Sequence, residues 1–206
     1  MHRQNLIVLA LLVLVSVVIV AAGYQGGRGP VSELNYWIIR ATGGMTSEDK
    51  LKSEKKFQAA PEFALGTWIN SEPVTLKGLR GRVVLVDFWT FACYNCRNTL
   101  PFLNRWHERY ADKGLTIVGV HSPELSEERQ VENVRREVAS LGIKYPVVTD
   151  NDYSTWNAYD VSAWPTVFLV DKAGRIRWMH VGEGAYGETE RMIQELLAED
   201  YKEGPR

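Results

Sequence analysis

Only two cysteines occur in this chain, Cys93 and Cys96, and they stand where one hydrophobic pattern gives way to another. Before them, Val83-Val84-Leu85-Val86 is an unbroken apolar run, the mark of a strand buried on both faces. After them, from Cys96 to Lys113, apolar residues recur at helical spacing, with Leu100, Leu103, Trp106 and Tyr110 on one side. A buried strand feeding directly into a helix commits the chain to a layered α/β fold. It also has a chemical consequence. A thiol at a helix amino terminus faces unpaired N–H groups and the positive end of the macrodipole, which favour the thiolate. Cys93, at the exposed turn, is placed to attack a disulfide, and Cys96, one turn further in, to resolve the mixed disulfide that results.

Two other uses of such a pair are weaker. Half a zinc site needs two more ligands, yet His2, His107, His121 and His180 include no closely spaced pair. His107 follows Cys93 by fourteen residues, about 21 Å along a helix, too far to share a metal. A permanent structural bridge across so short a loop removes little chain entropy. No metal and no bound cofactor are expected beyond the redox-active Cys93–Cys96 disulfide.

Past the helix, Leu115–Val120 reads as a second strand. Ser126–Leu141 reads as a helix with an acidic start at Glu127 and Glu128, one face of Val131, Val134 and Val138, and a stop at Gly142. Tyr145–Val148 is a third strand, and Trp156–Tyr159 about one helical turn. Thr166–Val170 and Arg175–His180 flank Asp171-Lys172-Ala173-Gly174 as a hairpin does, and Glu188–Ala198 closes the chain as an amphipathic helix. The expected architecture is a central mixed sheet flanked by helices over residues 57–206. Asp87 stands inside the first strand, where lost solvation raises a carboxyl pKa toward working pH, so it is a candidate proton carrier. A satisfied, half-buried carboxylate is the alternative. His121 and Glu124, after the second strand, read as surface polar residues.

The amino terminus bears on compartment. Leu6–Ala22 is a run of 17 residues in which only Ser16 is polar, preceded by the basic start Met1-His2-Arg3. As a helix it spans about 26 Å, close to the roughly 30 Å bilayer core. An uncleaved anchor over residues 1–24 is expected, with a cleaved signal peptide ending at Val20-Ala21-Ala22 as the competitor. Either exports the domain to the periplasmic, extracytoplasmic side, where disulfides persist. Residues 25–56, rich in glycine and then in charge, read as a linker. With 24 basic against 25 acidic side chains the net charge is −1, which leaves no electrostatic footprint for nucleic acid.

The motifs resemble the thioredoxin superfamily. Val86-Asp87-Phe88-Trp89, then Cys93 and Cys96, then Pro101, match the thioredoxin signature in order and spacing, and Trp164-Pro165-Thr166 resembles the family's cis-proline loop. Gly119-Val120-His121-Ser122-Pro123-Glu124 and Asn151-Asp152-Tyr153-Ser154 are similar to the redoxin domains of DipZ-like proteins. The longer redoxins, including TlpA- and ResA-like tethered proteins, imply an N-terminal β-hairpin before the core and a β-α insertion after the second strand. The resemblance implies Cys93 as nucleophile, Cys96 as resolving thiol and Asp87 as the buried acid. It places Trp164 and Pro165, with Trp89, Tyr94 and Asn95, where substrate passes. Tyr94-Asn95 departs from the Gly-Pro of thioredoxin, and Trp164 from a smaller β-branched residue. A thiol–disulfide oxidoreductase, monomeric, is expected to act on protein thiols or disulfides outside the cytoplasm, with a membrane electron donor or acceptor and with apocytochrome c thiols among its candidate substrates. A thiol peroxidase and a non-catalytic thioredoxin-fold interaction domain are the competing readings. Thr90-x-x-Cys93 fits part of the peroxiredoxin pattern, but Val86 stands where that pattern has Pro.

Overall fold

A computed structural model describes residues 58–201. The expected anchor and most of the expected linker lie outside the described residues. A six-stranded mixed sheet runs in the order β1-β4-β3-β2-β5-β6. β2 (Val83–Trp89) is central and buried at all seven residues, between β3 (Leu115–His121), parallel to it, and β5 (Thr166–Val170), antiparallel. β4 (Val147–Thr149) continues the parallel side, β1 (Trp68–Ile69) pairs with it antiparallel, and β6 (Ile176–Val181) closes the other edge.

The connections β2–α1–β3 and β3–α2–β4 step the same way across the sheet. Right-handed crossovers therefore put α1 (Tyr94–Tyr110) and α2 (Val131–Ser140) on one face. Side chains alternate along β2. Val83, Leu85 and Trp89 pack with Leu100, Leu103 and Trp106 of α1, with Val134 and Val138 of α2, and with Ile193 and Leu196 of α4 (Tyr186–Ala198). On the opposite face Phe88 meets Trp156, Tyr159 and Phe168 at ring-centroid distances of 6.1, 5.2 and 5.9 Å. Trp156 belongs to α3 (Ser154–Ala158), which returns the chain over that face to β5. The expected β5–β6 hairpin forms. Gly174 adopts φ 76° in its turn, and Asp171 accepts the backbone N–H groups of Ala173 and Arg175.

Two expectations need correction. No N-terminal β-hairpin precedes the core among the described residues. Only the two residues of β1 and an isolated bridge between Ala59 and Arg175 stand there. Asn70 takes φ 67° and donates from Nδ2 to the carbonyls of Ile143 and Tyr145, so the chain turns away after β1, and Pro73 lacks the N–H a returning strand would use. The helix expected over Ser126–Leu141 is broken at Gln130, which is extended (φ −81°, ψ 114°) between a 3-10 turn, Ser126–Arg129, and α2. The cause is Glu128, whose side chain turns inward. Both α2 and β4 belong to the expected β-α insertion after the second strand.

Candidate active site

Every cleft-forming segment leaves the same end of the sheet. Trp89 ends β2 and Thr90-Phe91-Ala92 carry the chain to Cys93, which caps α1. Cys93 has β-region dihedrals (φ −70°, ψ 115°), and its Sγ accepts the backbone N–H of Cys96 at 3.1 Å. The two sulfurs form a disulfide with Cα atoms 5.3 Å apart. Cys93 is half-buried at the surface, while Cys96 is 1% exposed and packed in the core. No acidic residue stands in the first turn of α1, so no charge within the helix itself offsets the N–H groups and dipole that its end offers to a Cys93 thiolate.

An open cleft of about 450 Å³ lies in front of the pair, lined on one side by Ala92, Cys93, Tyr94 and Asn95. Glu124 faces them, and Ser162, Ala163 and Trp164 form the third wall. Tyr94 is 75% exposed. Trp164 donates from Nε1 to the Ser122 carbonyl at 3.1 Å and rests on Trp156, centroids 4.4 Å apart. The Trp164–Pro165 peptide is cis. Pro165 itself is buried behind the wall, its carbonyl accepting the Gly182 N–H at 2.7 Å.

Of the residues expected around the substrate, Tyr94, Asn95 and Trp164 therefore line the cleft. Trp89 does not. It is fully buried, packed in the core, its ring edge-on to His121 at 5.2 Å. Alternation puts Trp89 on the α1 face of β2 rather than at the surface, a consequence of strand parity.

Asp87 shares that parity, and thus points into the layer that holds Cys96. It is 1% exposed, and neither carboxyl oxygen meets a hydrogen-bond partner among the described residues. Burial pushes its pKa up to about 8. Its partner across the sheet is Gly119, where a Cβ would lie 2.9 Å from Trp89 Nε1 and 3.4 Å from Tyr145 Cε2. The missing side chain leaves room for those two polar residues beside Asp87. Burial, then the Asp87 charge, holds the Tyr145 hydroxyl well above its ordinary range.

Two residues read from sequence as surface groups are interior. His121 is fully buried, stacked on Phe91 at 5.5 Å, with Nε2 3.4 Å from Thr90 Oγ1. Burial above all brings its pKa down to about 4. Glu128, read as helix-start charge, is fully buried. Its Oε1 accepts the Ala92 N–H at 2.9 Å and the Thr90 hydroxyl, and its Oε2 accepts the N–H groups of Glu124 and Leu125 at 2.7 and 2.8 Å. Burial alone would raise its pKa. Hydrogen bonds from Thr90, Leu125, Ala92 and Glu124 instead hold it below the usual carboxylate range. The only sequence signal for this role was an acid four residues after Glu124.

The chain matches the profile of the AhpC/TSA family over residues 57–179. It is 43% identical over 133 residues to protein DipZ of Mycobacterium tuberculosis, covering 63% of this chain and 19% of that one. The chain thus spans about a fifth of that relative's length. It is 28% identical over 133 residues to the thiol-disulfide oxidoreductase YkuV of Bacillus subtilis, covering 64% of this chain and 88% of YkuV. Among solved structures, a thiol-disulfide isomerase from Corynebacterium glutamicum superposes with a TM-score of 0.62 at 27% identity, covering 68% of this chain and 98% of that one. The fold is thioredoxin-like, and the relatives this chain resembles include proteins named thiol–disulfide oxidoreductase and thiol–disulfide isomerase.

Proposed function

The chain belongs to the AhpC/TSA family, and from that premise we propose that it is an exported, membrane-tethered thiol–disulfide oxidoreductase acting on protein thiols or disulfides outside the cytoplasm. The observation that carries this is the asymmetry of the pair. One sulfur opens on a cleft at a helix amino terminus, and the other lies in the core behind it. Tethering and export rest on Leu6–Ala22 and its basic start.

In the reducing direction, the Cys93 thiolate attacks one sulfur of a substrate disulfide. A Cys93–substrate bond forms as the substrate bond breaks, and the leaving thiolate takes a proton. Cys96 then gives up its proton and attacks Cys93 Sγ. This forms the Cys93–Cys96 disulfide and releases the second substrate thiolate, so the substrate gains the two electrons that the pair loses. Asp87 in its deprotonated form is the proton acceptor for Cys96, because a carboxyl with a pKa near 8 keeps an accessible carboxylate fraction at working pH and returns the proton afterwards. A membrane redox partner restores the pair. Oxidation of substrate thiols, apocytochrome c thiols among them, is the same sequence reversed.

The test is a trap. Cys96→Ser in the full chain should accumulate a dithiothreitol-sensitive mixed disulfide with an unfolded protein substrate, and Cys93→Ser should accumulate none. Equal labelling of both variants would end the assignment of roles. The buried Thr90 hydroxyl is committed to Glu128 rather than turned to the cleft, which weakens the peroxidase reading. Rapid peroxide consumption by the reduced protein would restore it.

A further inference from the structure

We infer that Glu128 is a positioning residue for Cys93: its buried charge and four acceptor contacts fix the loop carrying the sulfur and hold the reduction potential of the pair down. The inference rests on the reading of Cys93 as the attacking thiol. A fully buried glutamate is rare unless partnered, and here the partners are one hydroxyl and three backbone N–H groups rather than a cation. Ala92, on Oε1, directly precedes Cys93, while Glu124, on Oε2, belongs to the facing wall. A single carboxylate thereby ties two walls of the cleft together.

The charge has a second effect. Opening the disulfide to a Cys93 thiolate places a second negative charge close to Glu128, and like charges in a low-dielectric setting disfavour each other. The neutral disulfide bears no such penalty. Glu128 therefore favours the oxidised pair and makes the dithiol the stronger reductant. The other titratable and charged groups around the loop are Arg97, Tyr94, His121, Asp87, Glu124, Tyr153, Glu127 and Arg129. Arg97 reaches the Phe91 carbonyl at 3.4 Å from the exposed side and is present alike in both variants below. His121 lies behind Thr90 and is neutral at pH 7, because burial brings its pKa to about 4. Asp87 lies deeper in β2, and Glu124, Glu127 and Arg129 are exposed. Tyr153 donates its hydroxyl to the Pro123 carbonyl.

Two variants of the full chain separate charge from mere scaffolding, each equilibrated with glutathione and also alkylated across a pH series. Glu128→Gln removes the charge and should shift the equilibrium about tenfold toward the dithiol, a rise of about 30 mV, with the pH midpoint of Cys93 alkylation falling. Thr90→Val keeps the charge but strips one donor from it, and should shift both quantities the opposite way, by about twofold to fivefold. Shifts of the same sign in both variants, or a Glu128→Gln value within twofold of the unaltered chain, overturn the inference. Should Glu128→Gln not fold, the sign of the Thr90→Val shift decides alone: a rise or no change overturns it. An unaltered chain without exchange activity would instead sink the proposed function, which these variants do not address.

Discussion

Two carboxyl groups are buried in this domain, one within β2 and one against the loop that carries Cys93, and they are opposites. Asp87 sits in the layer behind Cys96 with no hydrogen-bond partner among the described residues, and its pKa is pushed up to about 8. Glu128 sits behind the Cys93 loop with four donors aimed at it, and its pKa lies below the usual carboxylate range. Neither side chain is exposed, but Asp87 lies deeper in the core than Glu128 and has no donors, so both depth and donors separate them. The difference teaches that desolvation sets the cost of a buried charge, while local donors decide whether the protein bears that cost or avoids it by protonation. Asp87 is thereby a group that changes charge near neutrality, and Glu128 one that keeps its charge.

The largest predicted effect breaks the Glu128 side. Glu128→Leu leaves the Thr90 hydroxyl and the N–H groups of Ala92, Glu124 and Leu125 without their acceptor. It should destabilise the fold by about 3–5 kcal/mol in urea unfolding. A loss below about 1 kcal/mol would mean those donors are satisfied elsewhere.

The Asp87 side breaks with pH. A folded pKa of about 8 against an ordinary 3.8 means that the folded state holds a proton that the unfolded chain releases. Stability contributed by this group is complete below the unfolded pKa and is lost as pH rises from about 4 to about 8. Asp87→Asn should therefore be more stable than the unaltered chain at pH 9 by about 2–4 kcal/mol, taking roughly 1.4 kcal/mol per unit and discounting for relaxation. The gain should vanish near pH 4. Equal differences at both pH values in denaturant titrations would show that Asp87 does not titrate in this window.

A smaller effect sharpens the comparison by leaving both carboxyls alone. Trp164→Phe removes the indole donor to the Ser122 carbonyl and should cost about 1 kcal/mol, with the potential of the pair unchanged. A shifted potential would mean that the third cleft wall also tunes the sulfurs.

Legibility followed the range of the interactions. β2, the hairpin at Asp171–Gly174 and the place of the cysteines at the head of α1 were visible because each depends on neighbours in sequence. The position of Asp87 inside a buried strand could be read in the same way. Glu128 could not, since its partners Thr90 and Ala92 lie 38 and 36 residues away, and an acid in a helical pattern otherwise reads as solvated charge. His121 was missed because its burial comes from Phe91 and Trp89, which reach it only after β2 and β3 pair. The hairpin expected before the core came from family resemblance, and Asn70 and Pro73 redirect the chain there.

Cys93 is the attacking sulfur in the proposed reaction and also the cap of α1. Each bond it makes to a substrate therefore competes with its service to the helix, since a sulfur drawn toward the cleft is a poorer acceptor for the Cys96 N–H. Losing an N-cap contact costs typically about 1 kcal/mol, and that cost falls on the first turn of α1. Amide exchange at position 96 and at Arg97 should accordingly be faster in the Cys96→Ser mixed disulfide than in the same variant before it is trapped. The helix end would then keep time with the chemistry, loosening for one step and closing again when the pair re-forms.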